Sequence, residues 1–234
     1  MICRFCQREM MKQLTLTQML SLKPIFSNYC CESCYLEIEK VDFRSGNFCQ
    51  YCHEKLENGK EVCHDCKIWE KNYSPFMLDH HYLYEHNDKM SDYFREYKFL
   101  GDIRMGDAFS GDINRSLKSF INHNFIVVPI PVSKKRLKSR GFNQVEEFLT
   151  QADIPYEKLL SKKREVSSQS EKTREERLKM KQPFFISKKN KEKVRNQSIL
   201  IVDDVYTTGR TTLYAYEKLI ECHPLEIKSF SITR

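Results

Sequence analysis

An α/β fold built on a parallel, doubly wound sheet and preceded by a small zinc-binding module of four-cysteine sites is predicted by three features of this 234-residue chain. Short apolar runs without alternation, of which Ile199-Leu200-Ile201-Val202 is the clearest, have the character of strands buried on both faces. Segments of helical period separate them, as Leu213, Tyr216 and Ile220 do after that run, and strands alternating with helices imply parallel pairing. The first 66 residues, by contrast, carry eight of the ten cysteines as four C-x-x-C pairs.

The length suits one domain of ordinary size plus a smaller module, with a boundary expected between residues 1–70 and 77–234. No run approaches the roughly 18 apolar residues of a membrane span. Met1-Ile2-Cys3-Arg4-Phe5-Cys6 has no apolar signal-peptide core, so a soluble cytoplasmic protein is expected. The net charge of +7 is concentrated: residues 134–195 hold 19 Lys or Arg against 9 Asp or Glu. Such a field attracts anions, whether a phosphorylated small molecule or a nucleic-acid backbone, although a solvated charged loop has the same composition.

Taken in order, Cys3/Cys6, Cys31/Cys34, Cys49/Cys52 and Cys63/Cys66 are four knuckles, each able to offer two sulfurs to one tetrahedral ion. Two four-cysteine zinc sites follow, most simply first knuckle with second and third with fourth, with crossed pairing left open. Four sulfurs close the coordination sphere, which marks the zinc as structural. Cys30 competes in register with Cys31, His53 and His64 lie beside ligand positions, and redox-active C-x-x-C is the remaining alternative. Tyr35 to Arg44 reads as a short charged helix or linker. Met77 to Tyr84 is apolar enough for a strand. Tyr93, Phe94 and Tyr97 mark a helix face, and Ala108, Phe109, Ile113, Leu117 and Phe120 mark another. Phe125 to Pro131 is a buried strand stopped by its prolines. Lys134, Lys135, Arg136, Lys138 and Arg140 follow it as a candidate anion site, before a helix that runs through Leu149. Ile154 to Leu160 is expected as a strand, Ser161 to Gln182 as a mobile loop of lid type, and Phe184 to Ile186 and Leu225 to Ile232 as further strands.

The chemistry is densest after the Ile199–Val202 run, where Asp203 and Asp204 are followed by Thr207-Thr208-Gly209-Arg210-Thr211-Thr212. A loop between a strand end and a helix start favours an anion through backbone N–H groups and the helix dipole. Two acids beside it suit sugar hydroxyls or Mg²⁺. This stretch resembles the 5-phosphoribosyl-1-pyrophosphate (PRPP) motif of the type I phosphoribosyltransferases. With the four knuckles, the Pro129-Ile130-Pro131 strand end, Arg140-Gly141-Phe142-Asn143-Gln144 and the Gln169-to-Arg177 loop, nearly the whole chain resembles the ComF family. In that family a zinc-finger module precedes a type I phosphoribosyltransferase fold, and members are linked to natural competence, the uptake of single-stranded DNA for transformation.

The resemblance implies that Asp203 and Asp204 hold the ribose hydroxyls and that Thr207, Thr208, Gly209, Thr211 and Thr212 hold the 5-phosphate, with Arg210 at a variable position of that loop. It places Lys98 at the family's Lys before Gly-Asp, Arg136, Arg140, Asn143 and Gln144 near the pyrophosphate, and Gln169, Arg174 and Arg177 on a flap. Met180 departs from the family's Asn. Implied ligands are PRPP with Mg²⁺, and implied partners are single-stranded DNA and proteins of the competence machinery. Phe142, Phe148, Phe184 and Phe185 interleave with basic residues and could stack bases, although core packing is the commoner fate of such residues. A non-catalytic module that senses PRPP or binds single-stranded DNA is the alternative to a phosphoribosyltransferase that turns over.

Overall fold

The computed structural model describes residues 1–11, 20, 27–44, 46–57, 59–72, 78–162 and 182–234. Its centre is a four-stranded, all-parallel sheet in the order β3–β8–β7–β4, where β3 is His80–Tyr84, β4 Phe125–Pro129, β7 Ser198–Val205 and β8 Glu226–Thr233. Ile199, Leu200, Ile201 and Val202 are all fully buried, as their unbroken apolar run requires of a central strand. Successive residues alternate between two cores. Leu200 and Val202 join Val127, Phe148 and Phe230 on one face, while Ile199 and Ile201 join Val128, Tyr214 and Leu219 on the other.

The helices cover those faces. In chain order they are α1 (Glu32–Leu36), α2 (His64–Asn72), α3 (Asp88–Arg95), α4 (Ser110–Asn122), α5 (Lys134–Arg140), α6 (Gln144–Gln151), α7 (Lys188–Val194) and α8 (Arg210–Ile220). The short strands β1 (Asn47–Phe48) and β2 (Lys55–Leu56) form one antiparallel pair, and β5 (Leu160–Lys162) and β6 (Phe184–Ile186) form another. Two helices lie where only charge was expected. Ser133 caps α5 by accepting from the Arg136 amide and Gly141 closes it in the left-handed region, and Ser187 caps α7 in the same way as Ser133. The strand expected over Ile154–Leu160 is confined to Leu160–Lys162. Pro155 has no amide to donate, and the Glu157 amide instead bonds the Val127 carbonyl. The expected strand start at Met77 lies outside the described residues.

The knuckles pack against the domain at two separate places. Arg4 forms a bidentate pair with Asp107, at 2.7 and 2.5 Å, and Phe5 stacks on Tyr93. Asp112, 1% exposed in α4, accepts from Tyr35 and Tyr84 hydroxyls at 2.5 Å each and from Asn28 at 2.9 Å. Burial raises its pKa, but these three hydrogen bonds and the Lys40 charge, 3.7 Å away, together outweigh burial and leave it below the usual carboxylate range. The third and fourth knuckles pack instead with Leu78, Tyr206 and Leu213, behind the loop that follows β7.

Asp112→Ala leaves one buried and one half-buried hydroxyl without their acceptor and should lower stability by about 3 kcal/mol in urea denaturation of the metal-loaded protein. Because Asp112 is depressed on folding, its contribution is present at neutral pH and is lost as pH falls through its folded pKa. The difference between wild type and variant should therefore shrink in strong acid, and a pH-independent difference would contradict the assignment.

Candidate functional site

The carboxyl ends of β7 and β4 carry the site, at the edge where parallel sheets bind ligands. Asp203 and Asp204 are 8% and 5% exposed, adjacent carboxylates at the end of an apolar strand. Lys98 Nζ lies 2.9 Å from Asp204 Oδ2, and Gln144 Nε2 donates to the same oxygen at 2.6 Å. Arg140 donates to the Gln144 side-chain carbonyl and, at 2.9 Å, to the Lys98 backbone carbonyl. Four of the residues singled out in the sequence thus form one network. Burial first, and then the neighbouring Asp204 charge, push Asp203 up to about 7.

Local structure explains the placement. α3 widens into a π-helical turn, Glu96–Leu100, which ends on Gly101 at φ 73°, and that turn delivers Lys98, its ammonium 4.5 Å above the Phe94 ring. Single π turns of this kind often mark functional sites. Asn143 caps α6 by accepting from the Val145 amide and donates to the Ile130 carbonyl. Its side chain is therefore committed to fixing the helix that carries Gln144. Arg136 is exposed on α5, near enough to Arg140 to be felt by its charge.

Beyond β7 the chain turns at Tyr206 into the Thr-rich loop. Gly209 is the N-cap of α8 at φ 72°, and a Cβ there would collide with the Tyr206 phenol, so the position requires glycine twice over. Thr207, Thr208 and Thr211 are exposed, while Thr212 is buried at 2%. Arg210 turns back along α8 to donate to the Tyr214 hydroxyl. The loop's carbonyls are held from behind: Arg234 donates to Thr207 O at 3.2 Å and the Trp69 indole to Thr208 O at 2.9 Å. His80, fully buried between the Ser229 and Ser231 hydroxyls and held neutral by burial, stacks on Tyr206 with ring centroids 4.0 Å apart.

Trp69, His80, Tyr206 and Arg234 were not singled out by the sequence reading, and only the uniqueness of Trp69 in the chain could have drawn attention. Gln169, Arg174, Arg177 and Met180 lie outside the described residues. Phe148 and Phe184 are core residues, 0% and 1% exposed, which removes them as base-stacking groups; Phe142 packs on Tyr97, and Phe185 is exposed. A cavity of about 930 Å³ opens beside the site, between the Pro129–Val132 strand end, Glu146, Lys162 and Phe185. Neither Asp203 nor Asp204 lines it, but Lys162 is close enough to lower the Asp203 pKa.

Cys3, Cys6, Cys31 and Cys34 form one cluster and Cys49, Cys52, Cys63 and Cys66 another, the simple pairing of knuckles. Tetrahedral Zn–S bonds of about 2.3 Å place sulfurs about 3.8 Å apart. The Cys6–Cys31 and Cys52–Cys63 sulfurs are each 3.6 Å apart. In both clusters one knuckle opens a helix, Cys31–Cys34 at α1 and Cys63–Cys66 at α2, where thiolates are favoured. Hydrogen bonds from Ser33 and the Cys34 amide bring Cys31 down to about 6. Both donor sets could hold zinc. His53, Asp79 and His81 also cluster, but Asp79 is already paired with His81 at 2.9 Å and with Lys228 at 3.0 Å. Among the described residues no helix is long and apolar enough to cross a membrane.

A parallel sheet ending in an acid pair and a Thr-Thr-Gly loop defines a phosphoribosyltransferase-type domain, and residues 109–233 match the family model of the phosphoribosyl transferase domain. Within that class the chain belongs to the ComF family of competence proteins. It is 34% identical over 237 residues to competence protein ComFC of Streptococcus pneumoniae, covering all of both chains. It is 30% identical over 239 residues to competence protein ComFC of Bacillus subtilis, covering all of this chain and 95% of that one. Among solved structures, the allosteric regulatory enzyme of purine biosynthesis overlaps 54% of this chain and 26% of its own at 17% identity and a TM-score of 0.36.

Lys98→Met leaves the Asp204 carboxylate buried with Gln144 alone and should cost about 2 kcal/mol, discounted for the partial exposure of Lys98. Adding Asp204→Leu should recover most of that loss. Additive losses in a double-mutant cycle by urea denaturation would contradict the ion pair.

Proposed function

We propose that this protein binds PRPP with Mg²⁺ across the Asp203–Asp204 pair and the Thr207–Thr212 loop, and acts in natural competence as a phosphoribosyltransferase. The observation that carries the reading is the juxtaposition of two buried carboxylates with a glycine-capped helix start, one strand end supplying both an acceptor pair for a diol and amides for a phosphate. The ComFC relatives support its place in competence.

In this reading Asp203 and Asp204 accept hydrogen bonds from the two ribose hydroxyls, and their charge favours C1 as it becomes cationic. Loop amides hold the 5-phosphate. Arg140, with Lys98 beneath it, lies on the side where the C1–O bond breaks and pyrophosphate departs with the electron pair. An acceptor nitrogen then forms the new C1–N bond and gives up its proton to the departing pyrophosphate or to water. Mg²⁺ supplies charge neutralisation on the diphosphate when bound with it. The two cysteine clusters hold structural zinc.

The test is calorimetric titration of the zinc-loaded protein with Mg²⁺ and PRPP. Replacing both carboxylates, Asp203→Asn with Asp204→Asn, should weaken binding about 100-fold or more, since each charge-assisted hydrogen bond contributes about 1.5–3 kcal/mol. Unchanged affinity would sink the reading. Binding without turnover, assayed by pyrophosphate release, would make the protein a PRPP sensor.

The pH profile gives a second test. Asp203 is raised to about 7 by burial and by Asp204, and the ligand requires its ionised form. Affinity should fall about tenfold from pH 8 to pH 6 as the carboxyl takes up its proton. Asp203→Asn should flatten that part of the profile, and an unaltered slope in the variant would assign the proton elsewhere.

A further inference from the structure

The second cysteine cluster touches the phosphate loop from behind, and the contact fixes which way two peptide units face. In a trans peptide the carbonyl and the amide of one unit point in opposite directions. Arg234 holds the carbonyl of Thr207 and Trp69 holds that of Thr208. The amides of Thr208 and Gly209 are therefore turned the other way, away from Arg234 and Trp69. Among the described residues neither amide finds a backbone acceptor. Under the PRPP reading, on which this inference rests, they are the donors that meet the 5-phosphate.

Both holding side chains trace back to the cluster. Trp69 is on α2, the helix that starts immediately after Cys63 and contains Cys66. Arg234 also bonds Glu54 at 2.8 Å, two residues past Cys52, and its guanidinium lies 4.7 Å from the Tyr206 ring centroid. Tyr206 belongs to the same apolar cluster as the four cysteines and occupies the space beneath Gly209. A segment of this kind takes most of its folding energy from its metal. Losing the ion would free α2, and with it the indole that aims the Gly209 amide.

We propose that Trp69 and Arg234 are positioning residues for the phosphate-binding amides, and that metal occupancy of Cys49, Cys52, Cys63 and Cys66 and phosphate binding at the loop strengthen one another. Coupling of two binding equilibria is reciprocal, so a ligand that tightens when zinc is present must itself retain zinc. The contacts reach only the 5-phosphate end of the site. Ribose 5-phosphate should feel the coupling, whereas inorganic pyrophosphate, bound toward Arg140, should not.

Trp69 is the chain's only tryptophan, so its fluorescence reads this contact directly. Zinc-loaded full-length protein is titrated with ribose 5-phosphate and with pyrophosphate while tryptophan emission is followed, and zinc release to a chromogenic chelator is timed with each ligand at saturation. The expected results are an emission change with ribose 5-phosphate alone, and a release phase slowed at least fivefold by it and unaffected by pyrophosphate. Trp69→Phe should keep two zinc ions per chain and bind ribose 5-phosphate about fivefold more weakly, the value of one ordinary hydrogen bond. Zinc release that ribose 5-phosphate does not slow overturns the coupling, and needs no variant to fold. Unweakened binding by zinc-replete Trp69→Phe overturns the positioning role. Calorimetry with Mg²⁺ and PRPP on the same sample separates the two levels: a protein that binds PRPP without coupling defeats this inference alone, and one that binds neither PRPP nor ribose 5-phosphate defeats both.

Discussion

Two adjacent carboxylates buried at the end of one strand are the constraint around which the site is built. β7 is apolar on both faces, so the sheet that buries Ile199–Val202 also carries Asp203 and Asp204 out of water. Burial of ionised groups is expensive unless each finds partners. Asp204 finds Lys98 and Gln144, held in turn by Arg140. Asp203 finds its neighbour's amide at 2.9 Å and little else, and its raised pKa is the consequence. An acid pair kept under such tension suits a ligand that brings hydroxyl donors and a cation, which is how perturbed carboxylates come to mark functional sites.

The seventy N-terminal residues are tied into this arrangement at two levels. The first pair of knuckles is anchored on Asp107 and Asp112, at and near the start of α4, through a bidentate arginine, a phenol and an asparagine. The second lies under the loop after β7, sharing a small apolar cluster with Tyr206 and Leu213. Both cysteine clusters thus support the domain whose residues form the candidate site. His80 extends that support, since it joins the sheet's serines to the ring of Tyr206.

Much of this was legible in the sequence because its chemistry is written in consecutive residues. The apolar run before Asp203-Asp204, the Thr-Thr-Gly loop and the C-x-x-C pairs each carry their own local signal, and the structure brings each pair of knuckles together as the spacing suggests. Contacts between distant positions were harder. Nothing around Lys98 states that a π turn will aim it at Asp204, and nothing around Trp69 or Arg234 points to a carbonyl in the loop. Nothing in the sequence around Asp112, in the first turn of α4, marks it as a buried acceptor for two tyrosines. The helices α5 and α7 were hidden by charge, which obscured the serine caps that start them. The basic, aromatic-interleaved stretch suggested stacking on nucleic acid, but Phe148 and Phe184 are drawn into the two cores because the sheet needs apolar cover on both faces.

The measurement that bears most directly on this account is a crystal structure of the zinc-loaded protein with Mg²⁺ and PRPP. The account predicts the ribose hydroxyls on the carboxylates of Asp203 and Asp204 and the 5-phosphate on the amides of Thr208 and Gly209. PRPP lodged instead in the cavity beside Glu146 and Phe185, with Asp204 still closed on Lys98 and Gln144, would contradict it.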